Sequence, residues 1–257
     1  MVTEFTGGGD PRRSLELLWG VRDAARRGPK PRLTTEDVVR GAIALADAEG
    51  LQAFSMRKVA EALGVSPMAL YTYVPSKAEL IEVMIDRAWG EVPLADQAPG
   101  DWRARLETKA RQDWEHMQRH PWMLQIAAHR PPLGPNIARR YESAFRIVDH
   151  LGLTDVEMEN VIALVDNYVR GAVRVVVEAS EVEARSGIDD REWWMSRSPV
   201  LAELITPDQF PTATRVGDSC RDFHEVEAKR PQNFEFGLQR VLDGVAAFVA
   251  ARHDAKV

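Results

Sequence analysis

The chain is 257 residues long, 45% hydrophobic and 28% charged, a soluble balance with room for one large or two ordinary domains. No apolar run reaches the roughly 18 uncharged residues needed to cross a bilayer, the first residues lack the apolar core of a secretion signal, and a single cysteine, Cys220, excludes an internal disulfide. Together these predict a cytoplasmic protein. A net charge of −6 argues at first against a nucleic-acid partner. The charge is uneven, however: Arg26 to Ala78 carries eight Lys/Arg against five Asp/Glu, and the chain beyond Ala78 carries 22 against 30. A positive segment on an acidic body suits a DNA-reading head on a body that avoids DNA.

Residues 1–32 read as a flexible basic arm. Within it Ser14 to Arg26 offers a short helix bearing Leu15, Leu17, Leu18 and Trp19, and "RRGPKPR" then breaks any helix because its prolines fix φ and remove donors. Residues 33–92 read as four helices. Thr34 or Thr35 caps the first, which carries Val38, Val39, Ala42, Ile43, Leu45 and Ala46 at helical spacing and stops at Gly50. Ser55 caps the second, which stops at Gly64; Ser66 opens a short third through Tyr71; Ser76 caps a longer fourth. "PLADQAPGD" is a linker by composition. Beyond it, helices are predicted near 101–118, 121–128, 135–151, 155–184 and 232–252. Pro199, Pro207, Pro211 and Pro231 predict an irregular 185–231 with short helical pieces. No alternating apolar pattern suggests strands.

The informative stretch is "FSMRKVAEALGVSPMALYTYVPSKAEL", Phe54 to Leu80. Gly64 permits the left-handed backbone that turns one short helix sharply into the next, and Val59, Leu63, Val65 and Leu70 supply a small core for their crossing. A second helix of this size fits the DNA major groove by its N-terminal end. That end presents Ser66, Pro67, Met68 and Ala69, followed by Tyr71, Thr72, Tyr73 and Lys77. Hydroxyl and ammonium groups there make phosphate-type contacts, which position a protein without reading sequence.

This segment resembles the signature of the TetR (tetracycline repressor) family of transcriptional regulators, and the similarity extends back over "TTEDVVRGAIALADAEGLQAFSMR". The resemblance implies DNA-contacting roles for Thr35, Arg57, Ser66, Pro67, Met68, Ala69, Tyr71, Thr72, Tyr73 and Lys77. Arg57 falls at a base- or backbone-contacting position, Pro67 to Ala69 at the base-facing helix start, Tyr71, Tyr73 and Lys77 at phosphate positions, and Thr72 at either kind. Pro67, Met68 and Ala69 lack strong donors, so base reading would lean on thymine methyls and on Arg57. "HPWMLQIAAHRPPLGPN" and "FEFGLQRVLDGVAAF" are similar to the tetracycline-repressor-type C-terminal domain, which implies a helical unit that dimerises through its last long helices and encloses a small-molecule pocket. The position of that subgroup's metal-binding histidine falls near Ile126, which cannot ligate.

The fold expected is therefore all-α: a three-helix helix-turn-helix DNA-binding domain at 33–92, joined by a linking helix to a larger helical ligand-binding and dimerisation domain at 93–257. The function expected is a repressor released from an inverted-repeat operator in double-stranded DNA by a small, largely apolar or aromatic effector. Val241, Leu242, Val245 and Phe248, with the helix near 155–177, predict a four-helix homodimer interface. Arg26, Arg27, Lys30 and Arg32 predict an arm that adds affinity more than specificity. His129 is the candidate ligand-binding residue. His116 and His120 stand four apart, a metal-pair spacing, but no third ligand is visible and Pro121 ends the helix, so surface or capping roles are preferred and no metal or other cofactor is expected. No Gly-rich phosphate loop, nucleophile elbow or catalytic dyad is visible, so no catalytic residue is expected. A helical enzyme or ligand carrier with a purely structural helix-turn-helix, and a DNA-binding regulator without a ligand, are the competing readings.

Overall fold

The computed structural model describes residues 4, 6–8, 10–21, 33–127, 130–219 and 230–254. Among them all regular structure is helical, and the one strand-like pairing is an isolated parallel bridge between Glu4 and Ile126. In chain order α1 spans Pro11–Leu18, α2 Thr35–Ala53, α3 Met56–Ala62, α4 Pro67–Tyr71 and α5 Lys77–Trp89. α6 spans Trp102–Arg119, α7 Pro135–Val148, α8 Asp155–Ser186, α9 Asp190–Leu204, α10 Pro211–Ser219 and α11 Arg230–Asp254.

Side-chain caps set the starts of α2 to α5. Thr34, Ser55, Ser66 and Ser76 each accept a hydrogen bond from the amide three residues on. Thr34, not Thr35, is the first of these caps, and Asp37 completes a reciprocal capping box. The Thr34 hydroxyl and amide hold the Asp37 carboxyl below its usual pKa. Gly50 breaks α2 at φ +73°, and Gly64 makes the α3–α4 elbow at φ +65°, the left-handed backbone the sequence requires there.

Two apolar cores follow. The first joins Val38, Val39 and Ala42 of α2 to Val59, Ala60, Leu70, Leu80, Ile81 and Met84. It also takes in Leu17 and Leu18 of α1 and Trp122, Met123 and Ile126 from beyond α6. Within the arm expected at 1–32, the short helix expected at Ser14–Arg26 lies instead at Pro11–Leu18, where α1 packs on α5 with Leu17 and Leu18 buried. "RRGPKPR" lies outside the described residues. The second core joins Leu106, Ile147, Val165, Val169, Leu238, Leu242 and Val245.

The predicted helix at 121–128 is realised as a 3₁₀ turn, Pro121–Gln125. His120 leaves helical geometry at φ −120°, ψ 65°, and Arg170 of α8 donates to the carbonyls of Met123 and Ile126 at 3.2 and 2.8 Å. Those carbonyls are satisfied from another element, so the helix need not continue. The stretch expected to be irregular holds the whole of α9 and α10. Asp189 caps α9, and Asp190 and Glu192 sit favourably in its first turn, although Pro199 lies in its interior.

Candidate functional site

Arg57 is exposed on the first turn of α3 and makes no ion pair among the described residues. Ser66, Pro67 and Met68 are exposed at the start of α4, Met68 at 75%, while Ala69 is half-buried. Tyr71 and Thr72 are exposed, and the Thr72 hydroxyl donates to the Ala69 carbonyl at 2.7 Å. α3 and α4 pack directly on each other, so these groups share one end of the N-terminal unit. Such a surface offers a guanidinium, hydroxyls and small apolar side chains, which suits groove and phosphate contacts together. Thr35 is buried in the first turn of α2, and Tyr73 is half-buried against the first core.

Lys77, at the start of α5, is not solvated alone. Its ammonium pairs with Glu4 at 2.5 Å and sits over the Phe54 ring at 5.9 Å. Glu4 in turn bonds through its backbone to Gln125 and Ala127, and the Gly7 amide donates to Glu82 at 2.7 Å. The Trp19 indole donates to the Leu133 carbonyl at 2.9 Å. The N-terminal segment therefore bridges α5 and the loop after the Pro121–Gln125 turn. No pattern in the sequence announces this pairing, because it spans 73 residues.

A cavity of about 360 Å³ lies among α5, α6, α7 and α8. Ile85 and Trp89 of α5, Met117, Met123, Ile137 and Ile162 give it apolar walls. Lys109, Asp113, Arg140, Tyr141, Asp166 and Arg170 give it polar ones. Lys109 bonds Asp113 at 2.8 Å and also Asp166, and Arg140 bonds Asp113 while lying 4.4 Å over the Trp89 ring. Burial opposes the Lys109 charge, but the two carboxylates outweigh it and raise the pKa above the usual lysine range. The Glu159 carboxylate, bonded to the Tyr141 hydroxyl, pushes that phenol up to about 12. Lys109 and Asp113 stand four apart in the same stripe as Leu106, Ala110 and Met117. A charged pair inside a buried stripe is the signal the sequence carries for this cavity. His129 lies outside the described residues.

α5 belongs to both regions. Lys77 opens it at the candidate nucleic-acid end, and Trp89 closes it in the cavity wall, about 18 Å away at 1.5 Å per residue. A second joint lies beside it. Asp47 of α2 accepts from the Trp122 indole at 2.7 Å and bonds His120 Nδ1 at 2.7 Å, and Glu91 lies 3.3 Å from His120 Nε2. His116 is 2% exposed, and burial pushes its pKa down to about 3. The two histidines expected at the surface are thus inside, although His120 is indeed the C-cap of α6.

Residues 38–84 match the family described as bacterial regulatory proteins, tetR family, and residues 93–249 match the tetracyclin repressor-like C-terminal domain. The HTH-type transcriptional repressor DrrR1 of Streptomyces coeruleorubidus is 42% identical, covering 97% of this chain and 91% of that protein. An HTH-type transcriptional regulator of Saccharopolyspora erythraea is 31% identical, covering 85% and 86%. The fold matches ActR of Streptomyces coelicolor, solved in complex with actinorhodin, with a TM-score of 0.69, 24% identity and coverage of 85% and 99%. Among the described residues no helix is long and apolar enough to cross a membrane. The chain belongs to the TetR family of bacterial regulatory proteins and is a DNA-binding transcriptional regulator, not an enzyme.

Proposed function

We propose that the chain is a cytoplasmic repressor that binds an inverted-repeat operator as a homodimer and leaves it when a small molecule enters the cavity. The observation that carries this reading is α5, which opens beside the exposed cluster of α3 and α4 and ends with Ile85 and Trp89 in the cavity wall. Residues 33–92 form the reading head, 93–257 the effector and dimerisation unit, and Arg26, Arg27, Lys30 and Arg32 belong to a DNA-contacting arm. In the head, Arg57, Ser66, Pro67, Met68, Ala69, Tyr71 and Thr72 face DNA; Lys77 and Tyr73 reach phosphate from half-buried positions, and Thr35 supports the first turn behind them.

The effector has a largely apolar body, matched to Trp89, Ile137 and Ile162, and polar groups that meet Arg140 and Asp113. A ligand that favours a different tilt of α5 weakens operator binding only by its differential affinity for the two states. His129, which stands in the sequence between the cavity-lining Ala127 and Pro131, is the further candidate contact.

In the dimer, α8 and α11 meet their copies. Leu242 and Val245 belong to the subunit's own core, whereas Phe248 and Leu164 are exposed and available to a partner. Two-fold symmetry then sets the recognition helices about 34–36 Å apart, or a multiple of that. The test is footprinting of the purified protein on its own upstream DNA, with and without candidate effectors, beside light scattering at micromolar concentration. A protected inverted repeat that a ligand releases is the expected result. A monomer, or protection that no sequence symmetry explains, would contradict it.

A further inference from the structure

The cluster at the second joint has a composition that the DNA-reading and effector functions leave unused. His116, His120 and Glu91 hold their donor atoms within 4.8 Å of one another. His116 is buried, and neither of its ring nitrogens has a hydrogen-bond partner. An imidazole left unpaired in the interior forfeits the hydrogen bonds it makes in water, which natural cores rarely tolerate without a reason. The neighbouring His120 is oriented as metal-ligating histidines usually are: Nδ1 meets the Asp47 carboxylate at 2.7 Å, leaving Nε2 to face Glu91 at 3.3 Å.

We propose that Glu91, His116 and His120 form a binding site for a divalent transition metal, with zinc the ion that fits best. Two imidazole nitrogens and one carboxylate oxygen are a borderline ligand set, which favours zinc over magnesium or calcium. Three protein ligands leave a fourth position for water. Tetrahedral bonds of about 2.0–2.1 Å put donors roughly 3.4 Å apart. The His120–Glu91 separation already meets that spacing, and with all three donors within 4.8 Å of one another the remaining closure is at most about 1.4 Å. Asp47, itself fixed by the Trp122 indole, is the positioning residue that holds the His120 ring. Glu91 and Asp47 come from the N-terminal unit and the two histidines from α6, so a bound ion would tie the units together at their joint.

The test uses the full chain, stripped with a chelator and titrated with zinc against a chromophoric competitor. One zinc per chain is expected, with magnesium failing to displace it and the melting temperature rising on binding. Glu91→Ala and His116→Gln, each checked for folding by circular dichroism, should weaken zinc binding by more than tenfold. Asp47→Asn should weaken it by about 10–100-fold, as loss of an orienting carboxylate does. Cobalt serves as a probe in the unaltered chain. Tetrahedral nitrogen and oxygen bands are expected, and a thiolate charge-transfer band would place the ion at Cys220 and overturn the assignment. A folded chain that binds no zinc, or folded Glu91 and His116 variants that bind it as the parent does, would also overturn it. Neither readout involves DNA or effector, so failure here leaves the regulatory reading untouched.

Discussion

Asp86 occupies the space that a side chain on Gly134 would fill. The Asp86 carboxylate is fully buried and accepts from the amides of Asn136 and Ile137 at 3.0 Å each and from the Asn136 side chain at 3.0 Å. Gly134 is the N-cap residue of α7, and a Cβ built there would lie 2.2 Å from Asp86 Oδ1. The cap of α7 is thus supplied by α5, an element 50 residues earlier. Arg87, next in the chain, adds a bond to Asp86 at 2.9 Å and another to Glu36 of α2 at 3.1 Å.

Removing that carboxylate leaves buried amides unpaired. Asp86→Ala is expected to cost about 1–3 kcal/mol of stability, read from the midpoint of urea unfolding. Gly134→Ala should also destabilise, through the forced displacement of Asp86, although its φ of −89° is open to any residue. If Gly134→Ala unfolds at the parent's midpoint, the close approach is not a constraint in solution.

Lys77 and Glu4 make a prediction with opposite signs. Lys77→Ala removes a phosphate contact, so it should weaken operator and scrambled DNA alike and lower the salt slope by about 0.9. Glu4→Gln releases the ammonium from its carboxylate partner and should tighten binding to both duplexes. Titrations at two salt concentrations decide it. Equal affinity of the parent and the Glu4→Gln variant would mean that the pair opens on DNA at no cost.

Arg57→Ala should cost about 1–3 kcal/mol on the operator if the guanidinium reads a base, with relaxed preference at that base pair. If it contacts phosphate, affinity falls equally on all sequences and preference stays. Arg57 is exposed without an ion-pair partner among the described residues, so circular dichroism should show no loss of folding.

Filling the cavity separates effector response from DNA binding. Ala163 of α8 lines the cavity, and Ala163→Trp puts an indole into its volume of about 360 Å³. Operator affinity should remain near that of the parent, while release by any effector is lost. An Ala163→Trp protein that still leaves DNA on effector addition would place the effector elsewhere.

The head was legible in the sequence because its signals are local. Ser55, Ser66 and Ser76 cap helices a few residues away, and Gly64 makes its turn alone, so each could be read within one window. The joints were not legible for the opposite reason. Asp86 serves Asn136, Glu91 approaches His120, and Lys77 pairs with Glu4, and in each case the partner is fixed only by packing of distant elements. The carboxylate of Glu91 beside His116 and His120 is of this kind. The stretch 185–231, expected from four prolines to be irregular with short helical pieces, holds two such pieces in α9 and α10; their bounds were not legible, because Pro199 sits inside α9 after a capped, acidic first turn.

α9 holds no buried residue, although Trp193, Met195, Val200, Leu201 and Leu204 are all exposed along it. A helix of 15 residues with a proline inside has little stability by itself in water. A partner surface that covered those side chains would also supply energy that keeps the segment wound. If the cover is the second subunit, helix content becomes a function of protein concentration: dilution that separates subunits unwinds α9 first, and far-ultraviolet ellipticity falls while both apolar cores stay closed. Dimerisation and local folding would then be one equilibrium, and cellular abundance of the regulator would set how much of each chain is ordered.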